Sequence, residues 1–517
     1  ILGNGALLEK VGKALRYRAL LVWLLTLLLL TACLSRQMPP PRTPAERCGL
    51  SPHDLTTLTT HPATAAHPPV TVSLWALAYG NWCWRAYLPL LAAHDVETYA
   101  VIVETTPFLI QTSGYRRQIE QAAAQHALPD LLYIPDFATA TAWIEAGYLM
   151  PLDHCIAAHD EFRAVRPEAW ERYSVQEKNW LIPLENQMSY LFFSKRKLRE
   201  LGWREAEIAA LPEAIAQGTF TLSDLIMVGQ QAMARGVVKK TFAFWPDVDQ
   251  LRFFSLLYFA HLQQLNPPEA ALYRATLDAD RGDCCGLGTS PTSLHRATLL
   301  ATFTTIRDFA QGNLFPTQFG EQEQRSWVAE LMRQDVVASS RVLFWVAPSH
   351  DWTSWATDYQ YEQGGYPYLE QQVGYAPFPA IAAAQPGVAL WVESSFYGVT
   401  SVTFRADQSS GPKMDVLCSL LAKSMQPPYL HRLTGLSGSF SPLVTSGGPQ
   451  ADAWKSNYQR STEYMWPYVY PLPLFISQIH WPSSAVAATI RLVERGELTP
   501  EAATEQLLRT LSAPATE

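Results

Sequence analysis

The sequence lacks several features that would place it in a common functional class. None of its apolar runs reaches the roughly 20 residues that a membrane-spanning helix requires. It has no Cys-x-x-Cys pair, no His-Glu-x-x-His and no glycine-rich loop that ends in Gly-Lys-Ser or Gly-Lys-Thr. We therefore expect no metal, no cofactor and no enzyme activity. A carboxylate pair for glycoside cleavage stays open, because the separation of such a pair is a property of the fold.

Basic charge is also scarce. The 517 residues include 39 Lys and Arg against 47 Asp and Glu, which gives a formal net charge of −8. A nucleic-acid surface needs a basic stripe, so we expect no nucleic-acid partner. Aromatic residues, by contrast, make up 12% of the chain and include 17 Trp, more than a core ordinarily uses. The additional rings are available to line a binding cleft.

The longest apolar run lies near the N-terminus and has the features of an export signal. Four basic residues precede a charge-free stretch from Ala19 to Ala32, which is followed directly by Cys33. A basic front, a short apolar centre and a small-residue exit are typical of a secretory signal. Leu30-Thr31-Ala32-Cys33 resembles the bacterial lipobox, which implies cleavage before Cys33 and acylation of that residue. An ordinary signal peptide that has Cys at its exit is the alternative.

The segment after the lipobox is predicted to be unfolded. Residues 33 to 69 are rich in Pro, Thr, Ala and His, a composition that buries too little apolar surface to fold. This segment is interpreted as a tether, and residues 1 to 32 as the signal peptide. The expected location is the cell membrane, where a lipid anchor holds the protein on the extracellular or periplasmic side.

The cysteine count permits disulfides without selecting a pairing. The compartment of an exported protein is oxidising, so disulfides can form there. Six Cys follow Cys33, and six allow 15 full pairings, among which the sequence does not choose. These six are Cys48, Cys83, Cys155, Cys284, Cys285 and Cys418.

Strand-like and helix-like segments alternate after the tether. Strands are predicted at Val70–Trp75, Tyr99–Glu104 and Pro129–Ile134, and helices at Tyr115–His126 and Ala138–Ala146. This alternation predicts an α/β fold with a parallel sheet and helices on both faces. Ligands of such sheets bind beyond the carboxyl ends of the strands, so the residues there are candidate ligand contacts.

Five segments carry motifs in a recognisable order. They are Pro129 to Asp153, Trp180 to Lys195, Thr219 to Leu225, Val373 to Pro379 and Ala485 to Leu508. In this order the chain resembles the family 1 extracellular solute-binding proteins, the sugar and maltodextrin-type components of bacterial ABC importers. The resemblance covers roughly residues 70 to 510. It implies an α/β, two-lobed periplasmic-binding-protein-like fold of type II, whose lobes are joined by crossing hinge strands.

The resemblance also implies where each lobe lies. Trp180–Lys195 contains the predicted first crossing, and Val373–Pro379 resembles the second. Gly435–Pro442 is the predicted third crossing, where glycines tolerate the backbone change of a hinge. The expected boundaries are residues 70–180 plus 378–436 for lobe one and residues 186–372 plus 443–517 for lobe two.

The candidate ligand contacts follow from what a neutral sugar requires. Aromatic rings cover the apolar faces of a pyranose, and fixed polar groups satisfy its hydroxyls. Glu185 and Gln187 lie at the first crossing, where the family has carboxylates or amides that reach ligand hydroxyls. Gln187 replaces the commoner Asp, which removes a charge-assisted bond, and a solvated loop carboxylate is the alternative for Glu185. The other candidates, each with plain packing as its alternative, are Trp75, Tyr79, Trp82, Asp136, Phe137, Trp245, Trp345, Trp352 and Trp481.

The function implied by the resemblance is transport. A small solute, above all a carbohydrate, is captured by lobe closure and delivered to the permease of an ABC transporter. The protein is expected to be a monomer. Two alternatives remain: a secreted carbohydrate-processing hydrolase, and a sensory or scaffold lipoprotein with a decayed cleft. Gln187 and the unusual Trp82-Cys83-Trp84 segment favour the last of these.

Overall fold

The structure is a computed structural model of the chain. It describes residues 69–77, 88–89, 92–108, 112–165, 167–246, 251–275, 295–315, 341–355, 366–401, 412–426, 429–430, 468–471 and 482–512. All of these residues belong to the compact unit Leu58–Glu517. Within these ranges, no helix combines the length and the apolar character needed to cross a membrane. The predicted signal peptide, the lipobox and nearly all of the tether lie outside the described residues.

The described strands range in length from two to 13 residues. In chain order they are β1 (Pro69–Leu77), β2 (Ala100–Phe108), β3 (Leu131–Ile134), β4 (Ser174–Val175), β5 (Lys178–Asn179), β6 (Ile182–Ser194), β7 (Phe244–Trp245), β8 (Phe344–Pro348), β9 (Val373–Ala376), β10 (Ala389–Val399) and β11 (Val469–Pro471).

Helices separate most of the strands. In chain order they are α1 (Thr112–Ala124), α2 (Phe137–Glu145), α3 (Asp153–Ala158), α4 (Pro167–Tyr173), α5 (Lys195–Glu200), α6 (Glu205–Ala216), α7 (Leu222–Ala234), α8 (Leu251–Leu265), α9 (Pro267–Ala275), α10 (Arg296–Gln311), α11 (Asp351–Ser354), α12 (Tyr366–Gln372), α13 (Pro412–Ser424), α14 (Pro482–Glu494) and α15 (Pro500–Ser512). Two short 3₁₀ helices span Ala93–Asp95 and Asp160–Ala164.

The main sheet has the strand order β2-β1-β3-β10-β6-β8-β7, with β11 added to β10 and β9 added to β6. Strand β1 is parallel to both β2 and β3, as the alternation of strands and helices predicts. Strands β6 and β10 are antiparallel to each other and lie between two groups of strands. We call the part that contains β1, β2 and β3 the first lobe, and the part that contains β7, β8 and β9 the second lobe.

Strand β6 joins the two lobes. Its first residues, Ile182 and Pro183, pair with Tyr397 and Phe396 of β10, which themselves pair with β3 of the first lobe. Its last residues, Leu191 to Ser194, pair with β9, and Ser189 to Phe193 pair with β8. The predicted first crossing is therefore one continuous strand of 13 residues, all of them buried.

Strand β10 is the second long strand that runs between the lobes. Its first residues pair with β11 and with the middle of β6, and its last residues pair with β3. The segment Val373–Pro379, which resembles the second crossing, contributes β9 and a bridge between Phe378 and Val388. The predicted third crossing, Gly435–Pro442, lies outside the described residues, and the exact lobe boundaries stay a prediction.

Local sequence explains where the first-lobe helices begin and end. Helix α2 starts after Asp136, whose side chain accepts a hydrogen bond from the Thr139 amide at 2.8 Å. The chain after this helix turns at Gly147, which has φ +72°, a conformation that glycine adopts without steric cost. The predicted helices Tyr115–His126 and Ala138–Ala146 are confirmed as α1 and α2 within a few residues.

The second lobe has an extensive apolar core. Helices α8, α10, α14 and α15 pack on one another and on the sheet. Aromatic rings interlock within this core, with the ring centroids of Phe244 and Phe253 4.8 Å apart and those of Phe244 and Phe309 5.3 Å apart. The helix pair predicted near the C-terminus, Ala485 to Leu508, is confirmed as α14 and α15.

A disulfide links two helices of the first lobe. Cys155 in α3 is bonded to Cys418 in α13, and the two residues are 263 positions apart in sequence. Helix α13 also packs on β1. The structure thereby fixes one of the bonds that the sequence leaves open, and this bond ties together the two chain segments that form the lobe.

Candidate functional site

The middle of β6 carries a run of buried polar side chains where the strand passes between the lobes. Glu185 and Asn186 are fully buried and Gln187 is nearly so. The Ser395 hydroxyl on β10 donates to Glu185 Oε1 at 2.9 Å, and these two residues are also register partners. Glu185 thus lies inside a strand, and its interpretation as a solvated loop carboxylate is wrong. Buried polar groups of this kind are retained where they organise a site or bind a ligand.

Gln187 connects this run to side chains that solvent reaches. Its Oε1 lies 2.8 Å from Nδ1 of His350, so with the amide oxygen as acceptor Nδ1 is the nitrogen that carries the proton. Nε2 of the same ring lies 3.4 Å from an Asp351 carboxylate oxygen, and both side chains keep 24% of their surface exposed. Sequence reasoning missed His350 and Asp351. The signal that points to them is their place in the sequence between Trp345 and Trp352, which are both predicted ligand contacts.

Asp136 lies at the carboxyl end of β3, as predicted for a residue at the cleft edge. One of its oxygens accepts from both the amide and the hydroxyl of Thr139, each at 2.8 Å. The other accepts from Arg116 Nη2 at 2.6 Å. Both Asp136 and Arg116 remain about one-fifth exposed. The residue therefore has an evident structural function as the cap of α2, and its contact with a ligand stays a prediction.

Aromatic rings line the same strand ends. The half-buried Trp75 ring is 5.3 Å from that of Phe108, which ends the neighbouring strand β2. Phe137 packs 5.3 Å from Tyr173 and 6.3 Å from Phe396 of β10, so it lies beside a strand that joins the lobes. Both predicted candidates thus occupy the carboxyl edge of the first-lobe sheet, where ligands of parallel sheets bind.

A buried tyrosine holds this edge together. The Tyr115 hydroxyl lies 2.9 Å from the carbonyl oxygens of both Trp75 and Tyr133, which belong to the adjacent strands β1 and β3. Burial raises the pKa of Tyr115 well above its usual value, and the neighbouring Tyr133 adds to the effect. The hydroxyl therefore stays protonated and shares its single proton between two acceptors, which fixes the spacing of the two strand ends.

The predicted second-lobe tryptophans are core residues in this structure. Trp345 and Trp352 are almost completely buried, and both stack on Phe192 of β6, with ring centroids 6.0 Å and 6.4 Å away. Trp355 meets the same Phe192 ring edge-on at 5.0 Å. Trp245 on β7 is also buried and is the register partner of Trp345. Packing accounts for these four tryptophans in the described conformation, and contact of Trp245, Trp345 and Trp352 with a ligand stays a prediction.

Three predicted contacts cannot be placed. Tyr79, Trp82 and Trp481 lie outside the described residues, as does Cys33. The first two follow β1 directly, and Trp481 directly precedes α14. Their assignment to the cleft rests on sequence alone.

The arrangement at the crossing offers groups that can bind a polar ligand. It offers a carboxylate held by a serine, an amide oxygen held by an imidazole, and aromatic rings at the adjacent strand ends. Such groups accept and donate hydrogen bonds and cover apolar ring faces. The group of described residues that has metal-ligand character, His154 with Cys155 and Cys418, lies in the first lobe away from this crossing, and its two sulfurs are joined in the disulfide.

The comparisons with known proteins address the fold. No protein-family model matches the chain, and no curated protein matches it either. The sugar-binding protein MalE from Xanthomonas citri has a similar structure, with a TM-score of 0.58 and 16% sequence identity over 85% of this chain and 96% of that one. The MalE domain from Bdellovibrio bacteriovorus, bound to maltotriose, has a TM-score of 0.53 and 18% identity over 86% of this chain and 98% of that one.

A third solved structure agrees with these two. The GacH receptor of Streptomyces glaucescens, known without ligand and with acarbose, has a TM-score of 0.58 and 13% identity over 85% of this chain and 96% of that one. In all three cases nearly the whole of the other chain is matched, so the likeness extends over both lobes. The chain therefore has the two-lobed α/β fold of these sugar-binding proteins, with β6 and β10 as the long strands between its lobes.

Proposed function

We propose that this chain captures a carbohydrate between its lobes and delivers it to the permease of an ABC importer. The observation that carries the proposal is the polar run Glu185–Gln187 on β6, together with its link to His350 and Asp351. A sugar hydroxyl both donates and accepts, so fixed amide, imidazole and carboxylate groups are suited to it. Similar structures that hold maltotriose and acarbose support the choice of ligand class.

The mechanism is a shift between open and closed forms. A ligand that contacts both lobes stabilises the closed form, and its differential affinity for the two forms sets the size of the shift. Strands β6 and β10 are continuous across the lobes, so they are the elements that must bend when the lobes move. Small-angle scattering of the isolated monomer should give a smaller radius of gyration with bound ligand. An unchanged radius at saturation would contradict closure.

The binding experiment uses defined sugars as probes. Thermal-shift measurements with maltotriose, acarbose, a chitin oligosaccharide and tagatose should identify a ligand that raises the melting temperature. Calorimetry with that ligand should then show a loss of about 1–3 kcal/mol for Gln187→Ala, because a ligand hydroxyl loses a partner in a buried place. Gln121→Ala, an exposed position on α1, is the matched control and should bind like the wild type.

Two results would count against capture for transport. Steady conversion of the bound sugar by the pure protein would favour the hydrolase alternative, in which carboxylates act as acid and base. Failure of every sugar to shift the melting temperature, with the fold intact, would favour a sensory or scaffold lipoprotein. If Gln187→Ala binds the ligand with unchanged affinity, the crossing strand is not part of the binding site. The fold assignment would not be affected.

The proposed location is the cell membrane, to which a lipid anchor at Cys33 attaches the protein. Support comes from the sequence Leu30-Thr31-Ala32-Cys33 at the end of a short apolar run. Intact-mass analysis of the native protein should show a diacylated or triacylated cysteine at the new N-terminus. The variant Cys33→Ser should move the protein from the membrane fraction to the soluble fraction. An unmodified N-terminus at another residue would contradict the anchor.

A further inference from the structure

Three potential metal ligands meet in the first lobe, away from the crossing strands. His154 and Cys155 are neighbours in α3, and Cys418 lies in α13. Nε2 of His154 is 3.5 Å from Sγ of Cys155 and 3.6 Å from Sγ of Cys418. Both cysteines are buried, whereas the His154 side chain is exposed. In the oxidised state, the sulfurs are bonded to each other and the imidazole lies beside both of them.

These distances match those of a tetrahedral thiolate and imidazole site. With Zn–S bonds of about 2.3 Å and a Zn–N bond of about 2.0–2.1 Å, tetrahedral angles place the nitrogen about 3.6 Å from each sulfur. Both observed nitrogen–sulfur distances already have this value. Only the two sulfurs have to separate, to about 3.8 Å, once the bond between them is broken. Their α-carbons are 5.0 Å apart, which permits that separation by side-chain rotation.

We propose that reduction of the Cys155–Cys418 disulfide creates a binding site for a thiophilic divalent cation, namely Zn²⁺. The two cysteine sulfurs and His154 would be its three protein ligands. A dithiol supplies two electrons and two protons, so that the S–S bond becomes two thiols and the dithiol becomes its own disulfide. Binding of Zn²⁺ then displaces one proton from each thiol. The exposed side of His154 leaves the fourth position to water, which gives an open site.

The site would preserve a mechanical link. In the oxidised protein a covalent bond joins α3 to α13, and these helices come from chain segments 263 positions apart. A metal held by both sulfurs joins the same two helices after reduction, because each helix contributes at least one ligand. The first lobe thus has two interchangeable cross-links, one for oxidising and one for reducing conditions.

The experiment isolates these three residues from the other cysteines. The exported chain is prepared with Cys48, Cys83, Cys284 and Cys285 replaced by Ser, in a form with Cys33→Ser. After reduction with a phosphine, Co²⁺ serves as the optical probe and Zn²⁺ as its competitor. We expect one equivalent of Co²⁺ with a thiolate-to-metal charge-transfer band, displacement by Zn²⁺, and a rise in melting temperature with Zn²⁺. The unreduced protein should show none of these effects.

Ligand and control variants then test the assignment. His154→Ala should bind Zn²⁺ at least about tenfold more weakly, since even outer-shell partners of a metal contribute that much. Cys418→Ser should abolish the charge-transfer band, and His159→Ala, another imidazole just beyond α3, should leave binding unchanged. If the reduced protein unfolds without metal, recovery of its circular dichroism on adding Zn²⁺ supports the site. Absence of binding after reduction, binding by the oxidised form, or equal binding by His154→Ala would each overturn it.

Discussion

The two lobes share a sheet but are stabilised in different ways. The first lobe is assembled from two distant chain segments, one with β1–β3 and one with the end of β10 and α13, and a disulfide joins them. The second lobe relies on a broad apolar core in which helices α8, α10, α14 and α15 pack together. A separate group of buried rings, Trp345, Trp352 and Trp355, packs on Phe192 of β6.

Both lobes join segments that are distant in the chain, but they do so by different means. Most of the second lobe lies between the two parts of the first lobe, so closing the first lobe requires the ends of a very long loop to meet. Loop closure costs conformational entropy that rises slowly with loop length. A covalent link between Cys155 and Cys418 removes most of this cost by restricting the unfolded chain. The second lobe also joins distant segments, because α14 and α15 pack on α10, but here apolar burial holds the segments together.

The largest expected effect is in the second lobe. Trp345→Ala should lower the free energy of unfolding by about 3–5 kcal/mol, because it removes a fully buried ring stacked on Phe192. Denaturant unfolding followed by tryptophan fluorescence and circular dichroism measures the change. Trp345→Phe should cost less, since it retains part of the packed volume. If the alanine variant instead keeps near wild-type stability and binds sugar more weakly, Trp345 contacts the ligand.

The next effect concerns the first lobe. Replacing both Cys155 and Cys418 with Ser should lower the free energy of unfolding by about 2–4 kcal/mol, as removal of a disulfide that closes a long loop typically does. Hydrogen exchange should show the lost protection in α3 and α13, with α8 and α10 little affected. Cys48→Ser serves as a control substitution elsewhere in the chain. Uniform loss of protection in both lobes would mean that the lobes unfold as one unit. It would contradict the view that each lobe is stabilised separately.

Acid should act on the second lobe through a buried histidine. His261 in α8 contacts the Thr305 hydroxyl at 2.8 Å, and burial lowers its pKa from 6.5 to about 4. In the unfolded chain the His261 side chain therefore binds a proton near pH 6.5, whereas in the folded protein it does so only near pH 4. Stability is complete above pH 6.5 and falls as the pH drops, by about 2 kcal/mol at pH 5 from this group.

The matching measurement compares denaturant unfolding at pH 7 and pH 5. His261→Gln should retain a hydrogen-bonding group beside Thr305 while removing this contribution to the pH dependence. His126→Asn, at an exposed position with φ +55°, is the control and should keep the pH dependence of the wild type. An unchanged slope in His261→Gln would show that other groups dominate acid sensitivity.

Much of the framework was predictable because it rests on local patterns. The alternation of apolar residues marks β1, a short apolar run marks β3, and the motif Thr219–Leu225 lies at the start of α7. The disulfide was not predictable, because Cys155 and Cys418 are brought together only by the return of the chain through β10. The same holds for His154, whose sequence neighbours give no spacing typical of a metal site.

The candidate site was predictable only in part. Glu185 and Gln187 were found from a motif, but their burial in a continuous strand depends on pairing with β10 and β8. His350 and Asp351 were missed because they become candidates only through the contact of His350 with Gln187, 163 positions earlier in the chain, and of Asp351 with His350. Trp345 and Trp352 are the opposite case, because the sequence predicted them as ligand contacts and the structure shows them packed in the interior. Composition identifies additional rings, but only the three-dimensional packing shows that these two stack on Phe192.

The smallest expected effect compares one helix cap in each lobe. In the second lobe, Asp224 accepts hydrogen bonds from the amide and the hydroxyl of Thr221 at 2.8 and 2.7 Å. In the first lobe, Asp136 accepts from Thr139 and also from Arg116. Replacing Asp136, the N-cap of α2, with Ala should cost about 1 kcal/mol of stability, and replacing Asp224, which closes a capping box with Thr221 at the start of α7, should cost roughly as much. Denaturant midpoints at constant slope measure both changes.

The conservative change Asp136→Asn then separates the two tasks of that residue. Asn caps a helix about as well as Asp, so it should preserve most of the stability while removing the charge that faces Arg116. Asp224→Asn is the control in the second lobe, where no ligand contact is predicted. If Asp136 lies at the cleft edge only as a cap, Asp136→Asn will bind sugar like the wild type. A weaker affinity with unchanged stability would show that the carboxylate, exposed by about one-fifth, also contacts the ligand.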